Sequence, residues 1–240
     1  MRPVFAFVLA ATLFAVLPVG SGASAADQPA PITAGGRRLA TFLDGLDVES
    51  LWIRNHRVDW RTGVAKGPEE TAPGGHTHCS AFVAAAAERL GIYILRPPEH
   101  PQMFLANAQE QWLDGAPGSG RTAAAAGWRR LGRLADAGVA VKAVSLANKG
   151  DLVIAVYFQP PEVTAQGPKE RSGHAAIVRP SDKPVAAIER DGPDVIQAGM
   201  HNHRLIAMKT GFASHKDGWR DGTIEFFVHK TRFASASATD

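Results

Sequence analysis

The chain reads as an α+β protein in which N-terminal helices pack on an antiparallel β-sheet. Two observations predict this. Apolar residues recur at helical spacing through most of the first half, whereas the second half holds short runs of β-branched and aromatic residues between Pro- and Gly-rich connections. Helices come first and strands afterwards, without βαβ alternation, which argues for an antiparallel rather than a parallel sheet.

The N-terminus is read apart from the fold. Arg2 precedes the apolar run "VFAFVLAATLFAVLPVG", and "ASAAD" offers small residues for cleavage after Ala25. This is the pattern of a secretory signal peptide over residues 1–25, too short and wrongly flanked for a stable anchor. The expected product is periplasmic or secreted, with no membrane partner after cleavage. Residues 26–36 read as a linker, and 37–240 as one domain, a length that supports a sizeable core. Ala-, Arg- and Gly-rich composition suits a bacterial source.

In "RRLATFLDGLDVESLWI", Leu39, Phe42, Leu43 and Leu46 have helical spacing. "RVDWRTGVAKGPEETAPGG" reads as loop or short extended structure. A second helix starts at or near Cys79, with Phe82, Val83, Ala86, Ala87 and Leu90 on one face and Gly91 as its C′ residue. "MFLANAQEQWL" predicts another, and "GWRRLGRLADAG" a further one that stops at Gly138. The strand candidates are 151–158, 174–180, 194–200 and 223–230. "PPEVTAQGPKERSG" reads as a long polar loop.

The full chain carries 26 Lys+Arg against 23 Asp+Glu; removing Arg2 with the signal leaves a net charge of +2. No Lys/Arg block of nucleic-acid type is present, so a nucleic-acid partner is not expected. A mildly basic surface is compatible with an anionic cell wall.

Cys79 is the only cysteine, so no internal disulfide can form. A lone thiol in an oxidising compartment is a liability unless it is buried or used. It is either a small apolar filler, a metal ligand beside His76 and His78, or a nucleophile. Its place on the first turn of a helix favours the last, because free N–H groups and the helix dipole stabilise a thiolate there. The same N–H groups suit a developing oxyanion, with Ser80, His76 or His78 as further contacts. His174, which opens the strand "HAAIV", is the candidate base. Gln197, a polar residue in the apolar "DVIQAGM", is the candidate that orients the imidazole, and Asn202 competes for that role. The metal reading adds His201 and His203 in H-x-H spacing, but no H-E-x-x-H or multi-cysteine pattern supports it, and no metal or other cofactor is expected.

These parts occur in an order that resembles the papain-like cell-wall hydrolases, the NlpC-type peptidases and CHAP amidases. "HCSAFV" is similar to their Cys-Ser signature, "KGDLVIAVYF" to their Gly-Asp-Leu strand and "SGHAAIV" to their Gly-His motif. The resemblance covers roughly residues 74–200. It implies a papain-like fold and a monomeric cysteine amidase or endopeptidase that cuts an amide bond in peptidoglycan. It also implies Cys79, His174 and, at the family's variable third position, Gln197 as catalytic residues. His78 stands where many NlpC-type members have Asp, Ala81 stands where Gly is typical, and "RPPEHPQMFLANAQEQWLDG" has no counterpart in a minimal domain. Two other readings remain: a non-catalytic wall-binding or interaction module on the same fold, and an acyltransferase acting on a substrate other than the wall.

Overall fold

A computed structural model describes residues 28–70, 76–116 and 120–235. The signal-peptide reading, with its cleavage site, and Gly74 and Gly75 lie outside the described residues. The order of elements is α1 (Ala34–Asp44), α2 (Cys79–Arg89), α3 (Leu105–Leu113), β1 (Arg129–Arg133), α4 (Val139–Asn148), β2 (Leu152–Tyr157), β3 (Glu162–Thr164), β4 (Gly167–Lys169), β5 (His174–Val178), α5 (Val185–Asp191), β6 (Asp194–Gln197), β7 (His203–Ala207), α6 (Met208–Gly211), α7 (Lys216–Arg220), β8 (Glu225–His229) and α8 (Arg232–Ser235). The protein is therefore mixed α+β. Its main sheet has six strands in the order β1-β8-β2-β5-β6-β7, every neighbouring pair antiparallel. Among the described residues no helix is long and apolar enough to cross a membrane.

Strand alternation explains why the sheet's central runs are continuously apolar. Leu152, Ile154 and Val156 of β2 join one core with Ala175 and Ile177 of β5 and with α1, α2 and α3. Val153, Ala155 and Tyr157 point the other way, joining Ala176, Val178, Val195 and residues of α4, α5 and α6. Both faces are covered, so neither face needs polar residues. Alternation puts His174 on the same face as Ala176 and Val178, toward α6.

α2 is buried almost all round, from Cys79 through Ala87, and its alanines let it lie close to β5 and β6. It ends as its sequence predicts. Gly91 has φ +76°, its N–H reaches the Glu88 carbonyl at 2.9 Å, and the Ile92 N–H reaches that of Ala87 at 2.9 Å, a Schellman closure.

Three expectations are corrected. First, α1 begins at Ala34, inside the stretch read as linker; Thr33 Oγ1 caps it by accepting the Gly36 N–H at 3.2 Å. Second, "GWRRLGRLADAG" is not a helix. Its Arg129–Arg133 portion forms edge strand β1, where Arg130 and Arg133 bind Glu225 of β8 at 2.6 and 2.9 Å. Gly138 precedes α4 instead of ending a helix, in the left-handed conformation (φ +73°) that glycine adopts readily. Third, the polar loop at 160–173 contains the β3–β4 hairpin.

Candidate active site

Cys79 stands at the first position of α2, after His78, and is 3% exposed. His174 opens β5 and Gln197 closes β6, both buried. β5 and β6 pair through Ile177–Ile196 and Val178–Val195. The next position in that register sets Gln197 beside Ala176, diagonal to His174 on the same face, within reach of a long side chain. Gln197 Oε1 accepts from His174 Nε2 at 2.8 Å. The other ring nitrogen, Nδ1, is left for Cys79, whose thiol is hydrogen-bonded to the His174 side chain.

The electrostatics of the pair follow from this packing. Burial disfavours a thiolate at Cys79, but the His174 charge and hydrogen bond, with backbone N–H groups of Ala175 and Ser80, outweigh it and hold the thiol below its ordinary value. Burial likewise disfavours an imidazolium at His174; the Cys79 charge, its hydrogen bond and the Gln197 bond outweigh that and raise the histidine. Both shifts favour a thiolate–imidazolium pair.

The walls of the pair fix its orientation. Phe212 meets the His174 ring edge-on, with centroids 4.6 Å apart. His215 stacks on it nearly parallel, at 5.4 Å and 16°. A Cβ at Gly211 would stand 2.7 Å from Gln197 Oε1, and one at Gly199 3.3 Å from His174 Cε1, so both glycines leave room for the bonded amide and imidazole. His215 is the residue that sequence reasoning missed. It sits in the short polar segment "GFASHKDGW", which carries no periodic signal.

The other candidates have definite places. Asn202 donates to the carbonyls of Val48 at 2.7 Å and Leu51 at 2.8 Å, and accepts the Gly199 N–H at 3.1 Å. It ties the β6–β7 turn to the segment after α1, and its polar atoms are bonded there instead of to His174. His78 is buried and held below its ordinary pKa by desolvation; its Nε2 donates to the His56 carbonyl at 2.8 Å, and its ring also bonds the Gln102 side chain. His76 is half exposed and lies 2.8 Å from Glu70. Ser80 offers its carbonyl to Gln109 Nε2 at 3.1 Å and its N–H to the Cys79 sulfur. His201 and His203 lie with rings 6.4 Å apart. Among the described residues no group of three or more His, Cys, Asp or Glu is arranged to hold a metal ion.

A cavity of about 1430 Å³ opens against His174 and Gln197, with Cys79 buried behind its lining. The segment read as a long polar loop contributes Lys169, Glu170 and Ser172 to its lining, and the chain just before α3 contributes Gln102 and Met103. Arg57, Lys66, His76, His201 and His203 line it as well, and Glu170 is the lining's carboxylate. Compared with known protein families and with curated proteins, the chain matches none of them.

Proposed function

We propose that the protein is a cysteine hydrolase of papain-like architecture that cuts an amide bond in peptidoglycan. The observation that carries this reading is the chain of contacts from the Cys79 thiol at a helix start, through His174, to Gln197 Oε1. A nucleophile, a base and an orienting group in sequence are what covalent amide hydrolysis requires.

The Cys79 thiolate attacks the carbonyl carbon, and the carbonyl π electrons move to oxygen. The N–H groups at the start of α2, that of Cys79 first, stabilise the oxyanion. As the oxyanion collapses, the C–N bond breaks and the His174 imidazolium gives its proton from Nδ1 to the leaving nitrogen. Water then attacks the thioester, passing a proton to His174. The acid leaves and the ion pair is restored. Gln197 holds Nε2–H throughout, so Nδ1 stays turned toward the sulfur.

The cavity supports an extended substrate, because it exceeds the roughly 300–1,000 Å³ of small-molecule sites. Its basic lining supports a substrate that carries carboxylates, as wall peptides do. Digestion of purified wall fragments, followed by mass spectrometry, tests the reading. Wild-type protein is expected to release new amine and carboxyl ends, and Cys79→Ala none. No new ends from either protein would refute hydrolysis and favour a binding module. Fragments joined to an added amine would point to acyl transfer.

A further inference from the structure

His215 has features that the reaction above does not use. Its ring lies stacked on His174 and forms part of the cavity wall. Its Nδ1 lies 3.2 Å from Gln159 Oε1. That oxygen can only accept, so Nδ1 carries the proton and Nε2 carries a lone pair. Nε2 has no partner among the described residues and is not a buried orphan, so it opens on the cavity beside the reacting pair.

We propose that His215 is a substrate-contacting specificity residue, whose Nε2 accepts the N–H of the scissile amide and so selects amides over esters. The inference rests on the hydrolase reading. An amide brought beside the thiol buries one N–H that needs an acceptor, and the Nε2 lone pair lies on the ring stacked against His174. An ester has no such donor. A hydrogen-bonding site of this kind discriminates strongly between substrates that differ by one donor. The acceptor also has to survive the imidazolium next to it. Desolvation, His174 and Arg171 together lower the His215 pKa to about 3, so the ring keeps its lone pair while His174 is charged. Gln159, held by Asn107 through its backbone N–H and carbonyl at 3.0 Å each, fixes the tautomer.

The test uses a matched pair of probes, a p-nitroanilide and a p-nitrophenyl ester of the same N-acetylated amino acid, with the full chain. The quantity read is the amide-to-ester ratio of kcat/KM. His215→Phe keeps an aromatic ring against His174 and is expected to lower the ratio at least about tenfold. His215→Gln returns an acceptor and is expected to recover most of that loss. An unchanged ratio in the Phe variant, or equal ratios in the Phe and Gln variants, would overturn the role of Nε2 while leaving the hydrolase reading in place. Failure of wild-type protein to turn over either probe or any wall fragment would remove both. Iodoacetamide labelling of Cys79 against pH accompanies each variant. A profile shifted in the Phe variant but not in the Gln variant, together with a parallel loss on both probes, would reduce His215 to a packing partner of His174 and overturn the proposal.

Discussion

Gly211→Ala perturbs the candidate site without altering Cys79, His174 or Gln197. Gly211 closes α6 and its φ lies outside the left-handed region, so alanine fits the backbone there. By itself that exchange stabilises a protein by about 0.4–1 kcal/mol through the unfolded chain. The new Cβ would stand 2.7 Å from Gln197 Oε1 and 3.3 Å from its Cδ. A comfortable contact is roughly 3.5 Å, so the oxygen must retreat by about 0.8 Å. That oxygen holds the 2.8 Å contact with His174 Nε2, so a displacement of this size spoils the length or the angle of the bond. His174 is buried, so its Nε2–H then lacks an acceptor, at a cost of about 1–3 kcal/mol that is greater for the charged ring. The Gln197 bond raises the His174 pKa, so its loss lowers it and weakens the ion pair. The inflection in Cys79 alkylation should therefore move up by about one pH unit, which corresponds to 1.36 kcal/mol. Iodoacetamide rates against pH measure the shift, and thermal unfolding should show a lower Tm, because the stranded N–H costs more than the backbone exchange gains. A profile that superimposes on wild type would refute the claim that Gln197 sustains the pair.

Further outcomes follow from the same geometry. Gln197→Ala should lower turnover at least about tenfold, roughly 1.4 kcal/mol, with the fold intact by circular dichroism; equal activity would leave the site as a Cys–His pair. Asn202→Ala should act mainly on stability, lowering it by about 1–3 kcal/mol in denaturant titrations, because it strands the Val48 and Leu51 carbonyls; a loss of turnover matching that of Gln197→Ala would move the orienting role to Asn202. Burial and the neighbouring Glu225 and Asp114 raise Glu110 from 4.5 to about 7. Between those values the unfolded chain releases this proton and the folded chain keeps it, so stability falls as pH rises through the window and then levels. Glu110→Gln should therefore gain Tm relative to wild type from about pH 4.5 to about pH 7, and parallel Tm curves would count against the shift.

The parts of the fold that were legible in the sequence are those whose cause is local. The runs at 151–158, 174–180 and 223–230 read as strands, and they are apolar on both sides because both faces of the sheet are covered. Gly91 marked the end of α2 because a left-handed residue is needed there. Cys79 and His174 stood out by residue type at an element's first position. Gln197 stood out as an amide in an apolar strand. Where sequence reading failed, the deciding contact was distant. Trp128, Leu131 and Leu134 have spacing compatible with a helix, but the segment pairs with β8, and its arginines bind Glu225 more than ninety residues away. His215 was invisible for the same reason. Its role depends on a ring stack with residue 174 and a bond to residue 159. The glycine three residues on is the local trace: a Cβ at Gly218 would stand 2.6 Å from the Tyr157 ring.

α3 shows how a segment with no reacting group can set the geometry of a site. Asn107 Nδ2 donates to the carbonyls of Gln159 and Arg171, each at 3.0 Å, and Oδ1 accepts the Gln159 N–H at 3.0 Å. Those bonds join the chain leaving β2 to the chain entering β5. Gly173 lies against them so closely that a Cβ would collide with the Tyr157 carbonyl and Asn107 Oδ1, and His174 follows directly. Two residues along the same helix, Gln109 Nε2 donates to the carbonyls of Ser80 at 3.1 Å and Leu95 at 2.9 Å, fixing the first turn of α2 beneath Cys79. One helix thus holds the thiol's support with one buried amide and the imidazole's strand with another. Both amides are almost fully enclosed, so each bond is made in a low-dielectric setting where loosening it is costly. The distance between sulfur and imidazole is therefore set by α3 as much as by the sheet. Loss of either amide should displace one half of the pair relative to the other while leaving both Cys79 and His174 present.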